Sequence, residues 1–335
     1  MKKSLIALAV AGAVSAPAFA ATSNVDVYGE LHVSASLFDD QVAGAEDLQI
    51  SSNASRIGFK GSEDLGGGLA AIWQIETTVN LDEGNSNTLG SRDTFLGLKG
   101  GFGTVLIGNK DTPLKQIGRN IDLFGDTMAD SRNVTGVDSD TRAKNSVTYM
   151  SPSFSGLAFA AQYSNSTDAN TVTGDTNDTS FWSLNGTYTN GPLFVGLGYS
   201  DGDALENASV DKEWRLAAGY SFGNFKVVGQ YDKSDGETSV DADFDSWLLG
   251  AAYTMGNVVL KANYMDGDID GSSNDPKQWT IGADYNLSKR TTLYALYADG
   301  EHIAFGSGVG SSDRIGSGVA GGDVSIFSLG MMHTF

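Results

Sequence analysis

A two-residue alternation of apolar and polar side chains recurs along this chain from one end to the other, always in short runs. In "NVDVYGELHVSASLF", Val25, Val27, Leu31, Val33 and Leu37 share one face, and Asp26, Tyr28, Glu30, His32 and Ser34 share the other. In "NFKVVGQYD", Phe225, Val227 and Tyr231 oppose Lys226, Gln230 and Asp232. In "QWTIGADYNL", Trp279, Ile281, Ala283, Tyr285 and Leu287 oppose Gln278, Thr280, Asp284 and Asn286. A period of two sends alternate side chains to opposite faces of an extended strand, so each run predicts a strand with one apolar and one polar face. No long segment keeps a 3.6-residue period, and none approaches the roughly 18 consecutive apolar residues that mark a membrane helix.

Two kinds of connection alternate between the runs. Tight ones fall at 65–68, 100–103, 189–192, 222–224, 255–257 and 287–290; long ones, rich in Asp, Ser, Asn and Gly, fall at 38–47, 80–90, 111–141, 164–178, 232–243, 265–276 and 299–322. Short turns on one rim and long loops on the other are what an antiparallel transmembrane β-barrel requires. Sixteen strands fit the chain, with the alternation least regular over 89–110 and 291–300. An even number in that range closes the sheet around a water-filled lumen. The competing reading is a secreted soluble sandwich or solenoid, but neither needs segregated loop lengths, and a solenoid needs an internal repeat that this chain lacks.

Composition agrees with many short strands and turns: 43 glycines, 5 prolines, and no Gly-X-Y period. Lys2 and Lys3 precede an apolar run from Leu5 to Val14, and Ala18-Phe19-Ala20 supplies small residues for cleavage. Residues 1–20 are therefore expected to be a signal peptide and 21–335 a single barrel domain. With no cysteine, disulfides, thiolate metal sites and thiol nucleophiles are excluded together. The net charge is −20, or −22 without Lys2 and Lys3, which disfavours nucleic acid as a partner and favours cations. Tyr28, Trp73, Tyr163, Tyr188, Tyr199, Tyr220, Tyr231, Tyr253, Tyr264 and Tyr285 fall near strand ends, where amphipathic rings settle at headgroup level.

Two motifs imitate known sites without completing them, the first leaving only weak divalent binding in an external loop as its alternative. "DGDIDG" at 266–271 imitates the front of a calcium loop, but position 12 is Lys277 and no helices flank it. "GSGVAG" at 316–321 lacks the strand and helix that a dinucleotide turn needs. No cofactor or metal is implied. A barrel enzyme would need a positioned nucleophile and base, and His32, His302 and His333 have no recognisable Ser or Asp partner motif.

Across its length the chain resembles the general porins of Gram-negative outer membranes. The resemblance is carried by "VDVYGELHVSA" near the start, "SRIGFKGSEDLGGGLAAIWQIE" at 55–76, "RDTFLGLKGGFGTVLIGN" at 92–109, "RAKNSVTYMSP" at 142–152 and the terminal phenylalanine. It implies a homotrimer of sixteen-stranded barrels in the outer membrane, among its lipids and lipopolysaccharide, with the third extracellular loop folded into the lumen. It also implies passive diffusion of ions and small hydrophilic solutes, with a substrate-specific porin, for example for oligosaccharides, as the alternative. Phe327, Leu329, Met331 and Phe335 on one face of the last strand resemble the signal read by the barrel-assembly machinery, with His333 where the family often has an aromatic.

The resemblance further places the constriction acids in the loop from 110 to 141, where "DLFGDT" points to Asp122 and Asp126, with Asp130 as a third. It places the basic wall at Arg56, Arg92 and Arg142. Alternation independently turns Arg56 and Lys60 toward the lumen, because Ile57 and Phe59 must face lipid, where a charge near the midplane costs about 2–4 kcal/mol. Glu30 faces the lumen at a place where enterobacterial relatives commonly carry lysine. With the acidic loops, it predicts a mild preference for cations.

Overall fold

The computed structural model describes residues 24–40, 45–84, 88–135, 140–166, 179–202, 210–236, 243–306 and 323–335. The expected signal peptide and the "GSGVAG" segment lie outside these. Ahead of the infolded connection come β1 (Asn24–Asp40), β2 (Ala45–Ser52), β3 (Arg56–Gly66), β4 (Leu69–Thr78), β5 (Thr94–Gly100) and β6 (Gly103–Asp111). The connection holds two helices, α1 (Pro113–Ile121) and α2 (Arg132–Thr135). Then follow β7 (Arg142–Met150), β8 (Leu157–Ser166), β9 (Thr179–Asn190), β10 (Leu193–Asp201), β11 (Val210–Phe222) and β12 (Phe225–Gly236). The last five are β13 (Phe244–Met255), β14 (Val258–Ile269), β15 (Lys277–Asn286), β16 (Thr291–Glu301) and β17 (Asp323–Thr334).

From β3 onward each strand pairs antiparallel with the next, and β17 returns to β1 in continuous register from Glu30–Thr334 to Phe38–Ile326 and beyond. β1 is long enough to pair with β3 through its first half, Asn24 with Ser62 to Glu30 with Arg56, and with β2 through its second, from Val33 with Ser52 onward. β2 and β3 are thus halves of one strand, interrupted at 53–55 where Ala54 turns left-handed (φ 51°). Counted so, the barrel has sixteen strands and no free edge, which satisfies every ladder donor and acceptor within the sheet. Several strands outrun their periodicity: β14 continues to Ile269 and β16 to Glu301, shortening the loops expected there.

The alternation maps onto the wall as expected. Val25, Val27 and Leu37 are exposed outward, whereas Glu30, His32, Ser34 and Ser36 are buried inside. Outward aromatics pair across strands at the long-loop rim, as in Tyr163–Trp182, Tyr199–Trp214, Trp247–Tyr264 and Trp279–Tyr297, and at the short-turn rim in Phe222–Phe225–Tyr253. Tyr28 departs from the girdle assignment. It sits on the inward parity of β1, donates its hydroxyl to Glu76 at 2.9 Å, and carries Lys60 Nζ 4.9 Å above its ring. Nearness to a strand end cannot decide the face; parity does.

The densest packing lies inside the lumen, where the connection after β6 folds in. Thr112 caps α1 by accepting from Lys115 N, and Pro113 occupies the first turn. The spacing of Leu114, Ile117 and Ile121 puts all three on one face, and each is at most 1% exposed. Burying each contributes about 1.5–3 kcal/mol. Their seat is the inner wall of β10 and β11, kept flat by glycine: a Cβ on Gly198 would lie 2.8 Å from Ile117 Cδ1, and one on Gly196 3.0 Å from Ile117 Cγ2. Replacing Gly198 by Val should lift α1 from the wall and change single-channel conductance without loss of barrel. An unchanged conductance would show that α1 does not set the passage.

Candidate pore constriction

Three arginines converge on one stretch of wall, each delivered by a different element. Arg56 heads β3 with inward parity, Arg92 ends the connection between β4 and β5, and Arg142 opens β7. Arg56 Nη1 lies 3.2 Å from Glu30 Oε1 and 3.3 Å from Asp126 Oδ2. Arg92 Nε lies 2.7 Å from Glu76 Oε1, and Arg142 Nε lies 3.0 Å from Asp93 and 3.2 Å from Asp111. With Arg119 of α1, these arginines line a cavity of about 410 Å³. Lys60 is not among them. It lies four residues farther along β3, toward the short-turn rim, and its place over Tyr28 keeps it from the narrow region.

The three loop carboxylates have distinct surroundings. Asp126 alone reaches the barrel wall, through Arg56, while its Oδ1 is held by Arg119 at 2.5 Å and Arg132 at 3.4 Å. Its backbone is left-handed (φ 58°), a conformation aspartate tolerates better than most residues, and its N–H donates to Asp130 Oδ2 at 2.8 Å. Asp130, with no exposed surface, takes a two-pronged contact from Arg132 Nε and Nη2 at 2.8 and 2.7 Å. Asp122 accepts from Phe124 N at 2.8 Å and Ser131 N at 2.9 Å, tying the two ends of the turn together. Asp122 and Asp126 border a second cavity of about 400 Å³ that shares Arg56 and Arg119 with the first, so the two form one passage.

Sequence reasoning missed four cations. Arg119 and Arg132 belong to the infolded loop and clamp its own carboxylates. Lys261 lines the second cavity from β14, with Nζ 2.8 Å from Asp284 and 4.7 Å above the Phe124 ring. Arg215 on β11, 1% exposed, holds the far end of the loop: it meets Asp140 at 2.6 and 3.0 Å, Asp232 at 2.5 Å and the Thr135 carbonyl at 3.2 Å. Parity was the available signal for the last two, since Arg215 falls in step with Glu213 and Lys261 with Asn263, all inward. Among the described residues no group of three His, Asp or Glu is arranged to hold a metal. Asp266 of the "DGDIDG" motif lies in β14 and pairs at the rim with Lys277 at 3.5 Å and the Tyr264 hydroxyl at 3.0 Å.

The lumen thus offers charged, water-facing side chains in opposed pairs. Arg56, Arg119 and Arg142 keep 21–28% of their side-chain surface exposed, more than their partners Glu30, Asp126, Asp130, Asp93 and Asp111 at 0–19%, whereas Arg92 at 11% is nearly as covered as Glu76 at 9%. His32 donates to or accepts from the Tyr294 hydroxyl at 2.9 Å, and His333 does the same with Thr291 at 2.9 Å. The second joins the neighbouring strands β16 and β17, whereas the first reaches from β1 to β16 across β17.

A sequence model of a family described as "Gram-negative porin" matches residues 7–302. The major outer membrane protein P.IB of Neisseria gonorrhoeae is 31% identical over 329 residues, covering 87% of this chain and 91% of that one. The P.IB of Neisseria lactamica is 31% identical over the whole of both chains. Among solved structures, the anion-selective porin from Comamonas acidovorans superposes with a TM-score of 0.80 at 26% identity, over 93% of this chain and 100% of that one. The trimer form of OmpT from Vibrio cholerae gives 0.70 at 19% identity, over 93% and 99%.

The loop carboxylates titrate in opposite senses. Burial works against the charge of Asp126 and Asp130, but Arg119 and Arg56 at the first and Arg132 and Arg119 at the second outweigh it and hold both below the usual carboxylate range. Their contribution to loop docking is complete above an ordinary value near 3.8 and is lost as pH falls on through the lowered folded values. Burial, then the neighbouring Asp130, pushes Asp122 up to about 6, so its contribution is full below 3.8 and fades as pH rises through 6. Open-channel current noise should therefore pass through a minimum between about pH 4 and 5. Asp122→Asn should flatten the rise above it, and a monotonic wild-type profile would refute the assignment.

Proposed function

The chain belongs to the Gram-negative porin family and forms an outer-membrane channel, and from that premise we propose a general diffusion pore for ions and small hydrophilic solutes with a mild preference for cations. The observation that carries it is the pairing in the constriction, where each arginine of the ladder faces at least one carboxylate within 3.4 Å. Local charge is nearly balanced there, so the bias comes from the chain as a whole, at −20. Screening over about 8 Å at physiological salt keeps such a bias small and makes it fade as salt rises. The transport role assigns no reaction to the chain.

A second reading is anion preference. The guanidinium groups are more exposed than the acids behind them, and a relative with the same fold is an anion-selective porin. The reversal potential of the purified protein in a planar bilayer across a salt gradient decides between the two. A cation-signed potential supports the first and an anion-signed one replaces it with the second. Arg56→Gln removes one counter-charge of Glu30 and Asp126 and should raise the cation-to-anion permeability ratio severalfold. An unchanged ratio would take Arg56 out of the field that ions cross.

We also propose export by a cleaved leader at residues 1–20, insertion by the barrel-assembly machinery among outer-membrane lipids and lipopolysaccharide, and assembly as a homotrimer. The subunit face would be that of β1 to β6. There the outward positions toward the long-loop rim are Leu37, Leu48, Ile50, Leu96 and Ile107, exposed and aliphatic, whereas β8 to β16 carry the paired aromatics suited to headgroups. The terminal residue helps close the wall: Phe335 and Gly29 exchange two backbone hydrogen bonds of 3.1 Å, and a Cβ on Gly29 would meet the Phe335 ring at 2.5 Å. Cross-linking of membranes should find monomers for Leu48→Arg, and reduced folded barrel for Phe335→Ser. Wild-type trimer levels in either variant would overturn the role given to that residue.

A further inference from the structure

We propose that a recess beside α1 is a weak binding subsite for a neutral polyhydroxylated solute of about monosaccharide size. Its setting is unusual within this lumen. The two cavities of the constriction are bordered by arginine, lysine and carboxylate, whereas this third one, of about 240 Å³ between α1 and the wall of β8, β9 and β10, is lined by no charged side chain. At roughly 30 Å³ per water it holds the equivalent of about eight waters. That volume suits a single sugar ring and is too small for most drug-sized ligands.

The lining has the chemistry that a sugar needs. Phe194, on the inward parity of β10, offers an aromatic surface to the apolar C–H face of a pyranose. Gln116, Asn120 and Asn185 supply amides, and Thr187 and Thr189 supply hydroxyls that can both donate and accept. The amides are oriented in advance: Asn185 Nδ2 donates to the Pro113 carbonyl at 2.7 Å, Asn120 Nδ2 to the Gln116 carbonyl at 2.7 Å, and Gln116 Nε2 to the Asp111 carbonyl at 3.4 Å. With each amino group engaged by backbone, the amide oxygens are the atoms left to accept from solute hydroxyls. Ala158 and Ala160 keep the floor shallow. An ion gains nothing from such a lining, because no opposite charge repays its desolvation.

The recess opens onto the ion path. Gln116 and Asn120 border both it and the arginine-lined cavity, so a solute seated there stands beside the passage and narrows it. The inference rests on the channel reading of the lumen and deepens it, adding a resting place for neutral solutes apart from the charged route.

The test uses the full-length protein in a planar bilayer with potassium chloride, and D-glucose added in steps to both sides. Wild-type conductance should fall along a saturating curve in the millimolar range, beyond the linear decline caused by viscosity. Phe194→Leu, which keeps an apolar side chain there, should leave sugar-free conductance unchanged and shift half-saturation at least tenfold; Phe194→Tyr should retain it. A purely linear decline shared by all three would overturn the subsite. Half-saturation left unshifted in Phe194→Leu would overturn its location. Absence of ion conductance in the wild type would instead overturn the channel reading itself.

Discussion

Hydrocarbon offers no partner to a peptide group, and the rest of the structure follows from that. Every N–H and C=O at membrane depth must find its counterpart in the sheet, so the sheet must close. Closure runs through one seam, where β1 accepts β17 from Glu30 onward and divides its other edge between β2 and β3. Once the wall is closed, strict parity is the only freedom left to a side chain. Odd and even residues become lipid-facing and water-facing, and an acidic chain can present an apolar belt without any single apolar segment.

The enclosed space is then organised by burial and charge together. α1 docks on a wall flattened by Gly196 and Gly198, and the loop turns back along carboxylates braced by Arg119 and Arg132. Arg215 fastens its far end in a site with almost no exposed surface. Removing either partner of such a buried pair costs about 3–5 kcal/mol, since the remaining charge stays behind unpaired. The infolded loop is thus anchored to the wall through a buried charge cluster. Asp126 adds a contact from the loop tip to the barrel wall, through Arg56.

Much of this was legible in the residues. Alternation gave the strands, loop length gave the rims, and parity put Arg56 and Glu30 in the lumen. What alternation alone could not convey was a third party inside the barrel. Where Val227-Val228 and Leu248-Leu249 interrupt the pattern, Val228 and Leu248 face inward against the docked loop, a signal that reads as noise until the loop is in place. Leu114, Ile117 and Ile121 carried a helical period too short to stand out among strands. Tyr28 and Lys60 were misplaced because position along a strand and position around the lumen are different coordinates, and only the second requires the closed barrel. The partners of Arg119, Arg132 and Lys261 are set by tertiary approach, which spacing does not encode.

The last long connection does not simply leave the barrel. Ile303 and Phe305 turn inward and are buried against the loop tip, and Gly306 N donates to the Met128 carbonyl at 3.1 Å. The start of the connection after β16 and the tip of the infolded loop therefore share a joint. Residues that strangers can touch and residues that solutes must pass are usually free to diverge separately. Here Met128, Ile303, Phe305 and Gly306 belong to both, so change in the one carries a toll in the other.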